Sequence, residues 1–75
     1  MKVLYFGVLS EIAQKSEESL DFSGPLSELK KTLIGLYPEF EKQRFQISLN
    51  QVIVEENQTV KPGDEIALLP PFTGG

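Results

Sequence analysis

The groups in this chain that could take part in chemistry are few, and most of them are carboxylates. Three adjacent acidic pairs, Glu17-Glu18, Glu55-Glu56 and Asp64-Glu65, have the make-up of acid–base dyads. Solvated surface is nevertheless their expected role, because the chain has no histidine to work beside them and no glycine-rich phosphate loop. The absence of histidine removes the commonest general base and the commonest metal ligand. The absence of cysteine removes thiolate nucleophiles, disulfides and cysteine-bound metal. Ser10, Ser16 and Thr73 are hydroxyls without an identifiable base to activate them. What remains is the carboxylate of Gly75 at the end of the chain. Its pKa of roughly 3.5 makes it an ion and a poor electrophile at neutral pH. Another protein must therefore activate it, for example by adenylation with ATP, since nothing here could bind the nucleotide. The expectation is a carrier that binds no cofactor or metal of its own and is not an enzyme by itself.

The residues before Gly75 are suited to presenting it. Ile66-Ala67-Leu68-Leu69 reads as the end of an apolar strand, and Pro70-Pro71 then stops any sheet ladder. Neither proline has an N–H to donate, and each fixes φ near −65°. Pro70 also biases Leu69 toward an extended conformation, so the chain should leave the domain straight. Phe72, Thr73, Gly74 and Gly75 complete an arm of six residues that can span at most ~20 Å. Glycine has no Cβ, so Gly74-Gly75 can pass a slot in which any side chain would clash.

Seventy-five residues make one small domain, which buries only about 60% of its unfolded surface. Seven basic against eleven acidic residues give a net charge of −4, with the lysines scattered. Nucleic-acid binding normally needs a basic stripe and is not expected, whereas a partner with a basic face would be steered toward this surface. The strand-like run near Met1 is too short to span a membrane. It also lacks the basic flank and small-residue cleavage site of a signal peptide. The expected compartment is the cytoplasm, with no membrane attachment.

The elements that must position the arm can be taken in order. Lys2 to Val8 reads as a first strand, and Leu9 to Lys15 as one short helical turn. Glu17 to Phe22 alternates as a half-buried strand with Leu20 and Phe22 pointing in. Pro25 suits the first position of a helix capped by Gly24 or Ser23. That helix carries Leu26, Leu29, Leu33 and Leu36 as a core stripe and should end near Leu36 or Tyr37, ahead of Pro38. Glu39 to Gln43 reads as a polar loop interrupted by Phe40. Strands Phe45 to Leu49 and Val52 to Val54 flank a tight turn at Asn50-Gln51. Lys61-Pro62-Gly63-Asp64 has Pro and Gly at the centre of a type II turn and launches the last strand, Glu65 to Leu69.

This order predicts an α+β domain over residues 1–69, with one helix on one face of a sheet, and an extended C-terminal tail over 70–75. One helix of about twelve residues covers a single face, yet the first and last strands and Val52-Ile53-Val54 are apolar on both parities. If Val3, Tyr5, Val52, Val54, Ile66 and Leu68 face the helix, then Leu4, Phe6, Ile53 and Leu69 face outward as an apolar patch of the kind that marks an interaction surface.

Together these features resemble the β-grasp, or ubiquitin-like, fold, a mixed sheet of about five strands packed on one helix. Leu49-Asn50-Gln51, Lys61-Pro62-Gly63-Asp64-Glu65-Ile66-Ala67 and Leu68-Leu69-Pro70-Pro71-Phe72-Thr73-Gly74-Gly75 are similar to the small-subunit family of molybdopterin synthase. The resemblance spans essentially the whole chain and is most specific from Gly63 onward. It implies that Gly75 is adenylated by an enzyme of the ubiquitin-activating type and converted to a thiocarboxylate. A persulfide enzyme would supply the sulfur. It further implies that Pro70, Pro71, Phe72, Thr73 and Gly74 enter the active site of a large synthase subunit. There sulfur passes to cyclic pyranopterin monophosphate in molybdenum cofactor biosynthesis, within a complex of two small and two large subunits. Phe6, Ile53 and Leu69 become interface residues, in agreement with the outward face. Phe72 stands where the family often has an aliphatic residue and calls for a roomier channel.

Other readings use the same end differently. A thiamine-pathway sulfur carrier shares the fold and the Gly-Gly end, although the proline pair argues against it. A ubiquitin-like modifier would join Gly75 to a lysine, usually through a more basic and flexible tail. A plain binding module would leave the terminus inert.

Overall fold

A computed structural model describes residues 1–70 of the chain. The elements run β1 (Lys2–Tyr5), α1 (Val8–Ala13), β2 (Glu17–Ser19), β3 (Gly24–Pro25), α2 (Leu26–Leu36), a 3₁₀ helix (Pro38–Lys42), β4 (Gln46–Leu49), β5 (Val52–Val54), β6 (Thr59–Val60) and β7 (Glu65–Leu69). Five strands form one sheet in the order β2-β1-β7-β4-β5. The first and last strands lie side by side in its middle and run parallel, with Val3 opposite Ile66 and Tyr5 opposite Leu68. The other pairings are antiparallel. A mixed sheet carrying one main helix is the architecture the resemblance implies.

Leu26, Leu29 and Leu33 of α2 have no solvent exposure and meet Val3, Tyr5, Ile47, Ile66 and Leu68 in the core. Leu36, expected on the same stripe, is 51% exposed, because the helix runs past its cover at its last turn. Tyr37 leaves helical geometry at φ −130° and ψ 84°, as a residue before proline should. Pro25 stands outside the helix as its cap rather than at its first position. Its extended ψ of 145° follows from an unforeseen two-stranded ladder in which Gly24–Pro25 pairs with Thr59–Val60. The loop before that ladder also satisfies the helix start. Leu26 N–H donates to the Gln58 carbonyl at 2.8 Å, and Ser27 N–H to the Glu56 carbonyl at 3.3 Å.

Boundaries moved elsewhere for physical reasons. The first strand stops at Tyr5 instead of Val8, because Gly7 turns the chain at φ +60° and Val8 opens α1. The second strand is only Glu17–Ser19, although Leu20 and Phe22 still pack partly against the core. Phe45 precedes β4, which begins at Gln46. Residues 39–43, expected as polar loop, mostly form the 3₁₀ helix, and it buries Phe40 completely. Phe40 stacks with Tyr5, Tyr37 and Phe45 at centroid distances of 5.8, 5.0 and 6.0 Å.

Both turns form as expected. Asn50 and Gln51 adopt φ values of 50° and 73°, which are the two positive angles of a type I′ hairpin. Gly63 adopts φ 93°, and Asp64 N–H closes that turn on the Lys61 carbonyl at 3.1 Å. Asn50 ties the turns together, accepting from Glu65 N–H at 3.0 Å and donating to Asp64 Oδ1 at 3.2 Å. The Lys61 amide, helped by the Asn50 side chain, holds the Asp64 carboxyl below its usual range.

Glu18 departs most from expectation. It was assigned to solvated surface with Glu17, but its side chain is only 17% exposed and turns to the helix side of the sheet. The Tyr5 hydroxyl donates to its Oε2, as does the Tyr37 hydroxyl at 2.6 Å, and the Lys15 ammonium stands 3.6 Å from Oε1. Burial pushes the Glu18 carboxyl up, but the Tyr37 and Tyr5 hydroxyls and Lys15 outweigh it and leave it below the usual carboxylate range. Burial, and then Glu18 itself, push both phenols above theirs.

Two outcomes follow for stability. A carboxyl lowered by folding stabilises above its unfolded value and loses that contribution as pH falls through its folded value. Glu18→Gln should cost on the order of 1–2 kcal/mol at pH 7, and urea unfolding should show the gap closing below the ordinary carboxylate range. Phe40→Ala should cost about 3–5 kcal/mol, whereas Leu36→Ala, at a half-exposed site, should shift the urea midpoint little.

Candidate protein-interaction face

Strand alternation assigns each residue of the sheet to a face. Val3, Tyr5, Ile47, Ile66 and Leu68 point to the helix, so Leu4, Ala67, Ser48, Ile53 and Leu69 point away. The register then assembles one row straight across the outer face, from Glu17 through Leu4, Ala67 and Ser48 to Ile53. Leu69 stands opposite Gln46 in the next row. Phe6 N–H donates to the Leu68 carbonyl at 3.2 Å, which continues the parallel ladder and sets Phe6 beside Leu69.

This face is apolar and largely open. Phe6 is 45% and Ile53 is 53% exposed, while Leu4 and Leu69 are partly exposed. Between them Ala67 and Ser48 are buried without any helix above them, because small side chains lie below the level of their larger neighbours. The result is a shallow floor with an apolar rim. A groove at the open edge of the β4–β5 hairpin, lined by Phe45, Gln46, Ile47, Ile53, Val54, Glu55 and Glu56, borders both faces of the sheet. Val52 stands on the helix side as expected, opposite Leu49, yet is 62% exposed. It lies on edge strand β5 next to the turn, outside the footprint of α2, while Val54 on the same side packs partly against the core.

Glu17, at the edge of the face, meets Lys2 at 3.4 Å, and on the helix side Glu56 meets Lys30 at 2.8 Å. Neither acidic pair converges on a shared point: Glu17 faces out and Glu18 in, and Glu56 is drawn to Lys30. Among the described residues, no group of acidic, histidine or cysteine side chains could hold a metal ion, and no helix is long and apolar enough to cross a membrane. What this arrangement can do is bind another protein.

The outer face leads into the exit of the chain. β7 ends at Leu69, and Pro70, partly buried, follows it. Parallel register sets Pro70 beside Gly7, with Pro70 Cγ only 2.6 Å from the point a Cβ on Gly7 would occupy. Sequence reasoning missed this contact, as it missed Ala67 and Ser48 as the floor of the patch. Small residues on the outward parity of apolar strands were the available signal. Pro71, Phe72, Thr73, Gly74 and Gly75, assigned to the presented arm, lie outside the described residues.

Comparison with known proteins gives this arrangement its context. The sequence matches the ThiS family over residues 3–75. It is 32% identical to the molybdopterin synthase sulfur carrier subunit of Caenorhabditis elegans, covering 100% of this chain and 96% of that protein. The fold superposes on SAMP1 from Haloferax volcanii with a TM-score of 0.78 at 22% identity, over 99% of this chain and 97% of that one. It also superposes on a complex of subunits 1 and 2 of molybdopterin-converting factor from Helicobacter pylori, with a TM-score of 0.70 at 27% identity, over 99% of this chain and 96% of that one. The family match over residues 3–75, together with full-length likeness to sulfur carrier subunits of molybdopterin synthase, shows that the chain belongs to the ThiS family.

Proposed function

We propose that this protein is the sulfur-carrying small subunit of a molybdopterin synthase in the cytoplasm, with Gly75 as the residue that bears the sulfur. The observation that carries the reading is the continuity between the uncovered apolar face and the strand that runs out through Leu69 and Pro70 toward Gly74-Gly75. Full-length likeness to sulfur carrier subunits supports it.

The chemistry divides between this chain and its partners. An adenylyltransferase of the ubiquitin-activating type would let a Gly75 carboxylate oxygen attack the α-phosphate of ATP and release pyrophosphate. The terminal sulfur of a persulfide partner would then displace AMP, and thiol exchange would free the thiocarboxylate. The large subunit would accept the outer face and the arm, so that the thiocarboxylate sulfur attacks a carbon of cyclic pyranopterin monophosphate and displaces an oxygen substituent from it. Water would then cleave the resulting thioester, leaving the sulfur on the pterin and returning the Gly75 carboxylate. ATP belongs to the activating partner, and this chain holds no cofactor.

In this division Leu69, Phe6 and Ile53 anchor the large subunit, and Pro70, Pro71, Phe72, Thr73 and Gly74 thread its channel. The anchors are apolar residues of the outer face, whose burial against a partner removes apolar surface from water. The arm's prolines limit the conformational entropy lost on entering a channel, and its glycines let the reacting carbon pass without a side chain.

Two measurements test the reading. Intact mass spectrometry of the protein from its own cells should find one Gly75 oxygen replaced by sulfur. Conjugates to lysine would point to a modifier, and an unaltered carboxylate under conditions of cofactor synthesis would overturn the proposal. Deleting Gly75 should abolish sulfur transfer while leaving the urea midpoint unchanged. Ile53→Asp should weaken large-subunit binding by about tenfold or more, roughly 1.4 kcal/mol, measured by calorimetry, without loss of fold.

A further inference from the structure

We infer that Gly7 is a positioning residue, which seats the Pro70 ring and so fixes the direction in which the chain leaves the sheet. The first and last strands run parallel through Tyr5 and Leu68, and the next ladder bond, Phe6 N–H to the Leu68 carbonyl, is still made at 3.2 Å. One residue further on, Gly7 and Pro70 face each other. Pro70 cannot donate, so no ladder bond remains to hold it there. Packing takes its place: a Cβ on Gly7 would lie 2.6 Å from Pro70 Cγ, 3.7 Å from Cδ and 3.8 Å from Cβ. The ring occupies the space that every other amino acid would fill.

Gly7 cannot yield that space by turning. Its φ of +60° and ψ of −137° are a conformation that L side chains rarely adopt. Its carbonyl is held by donors from the first turn of α1: Ser10 N–H at 3.0 Å, the Ser10 hydroxyl at 2.7 Å and Glu11 N–H at 3.4 Å. Rotating the Gly7 peptide to make room would break these bonds and detach α1, whose Leu9 and Ala13 lie in the core. Gly7 is therefore a fixed seat, and Pro70 is the part that would move. A small error in the angle at Pro70 grows along every residue that follows it. Leu69 on the strand is unaffected, so the outer face would still dock.

The experiment rests on the carrier reading for one of its two readouts. Wild type, Gly7→Ala, Pro70→Ala and the double variant are made with a preformed terminal thiocarboxylate, by cleavage of an intein fusion with sulfide, and given to the purified large subunit with the pterin precursor. Gly7→Ala should lower kcat for sulfur transfer by about tenfold to a hundredfold with KM little changed. The double variant should lose clearly less than the product of the two single losses, because the clash needs both atoms whereas the strain of an alanine at φ +60° needs only one. Equal kcat for Gly7→Ala and wild type overturns the inference, as does a double variant whose loss is the product of the two single losses. The second readout needs no transfer: nuclear Overhauser effects between the Gly7 α protons and the Pro70 ring should be present in the free wild-type domain, and their absence overturns the inference. If Gly7→Ala does not fold, the Overhauser effects in the wild-type domain decide the contact, their presence supporting it and their absence overturning it. If wild type transfers no sulfur, the carrier reading fails, while the Overhauser effects still decide the contact.

Discussion

Leu26, Leu29 and Leu33 lock the eleven-residue helix α2 across one face of a five-stranded sheet, and among the described residues no other helix is long enough to cover the opposite face. That imbalance shapes everything else in the molecule. Strands that were apolar on one parity only would leave a wet, polar outer face and an ordinary small domain. Here β1, β7 and β5 are apolar on both parities, so the surplus has to be covered by another protein or left against water at a cost of roughly 25 cal/mol per Å². The floor of Ala67 and Ser48 between Leu4, Leu69 and Ile53 gives a partner's side chains somewhere to sit.

The parallel pairing of β1 with β7 joins recognition to chemistry. Because the last strand is central in the sheet, its path is fixed from both sides, by β1 and by β4, up to Leu69. The chain beyond it starts from a rigid point beside the exposed Phe6. The outer face and the exit of the chain at Leu69 are thus set by one strand, with no hinge in the described residues between them. Under the proposed function, an activating protein and a large subunit could both read this same face.

A domain of this size without disulfides has little stability to spare. The other end of the core compensates with a cluster of aromatic rings, Tyr5, Tyr37, Phe40 and Phe45, closed by the Glu18 carboxylate. Placing a carboxylate there is favourable only because two hydroxyls and an ammonium meet it. The cluster lies on the helix side, so it leaves the outer face free of structural duties.

Much of this was legible in the residues themselves. The leucine spacing located α2, Pro38 ended it, and Asn50-Gln51 and Lys61-Pro62-Gly63-Asp64 took the backbone angles their types favour. The double parity of the strands foretold the outer face with Leu4, Phe6, Ile53 and Leu69. These features depend on preferences that a residue and its near neighbours settle between them. Burial does not. Whether Glu18 met water or two phenols, whether Phe40 was loop or core, and whether Val52 and Leu36 were covered were decided by residues brought alongside from distant parts of the chain. The same holds for the β3–β6 ladder and for the seating of Pro70 on Gly7, where the two ends of the sequence meet. The sequence by itself determined the main helix, the main strands and the two tight turns, because local sterics and periodicity act over a few residues. Only the tertiary structure decided what each side chain would face, because that depends on the register of strands far apart in the chain.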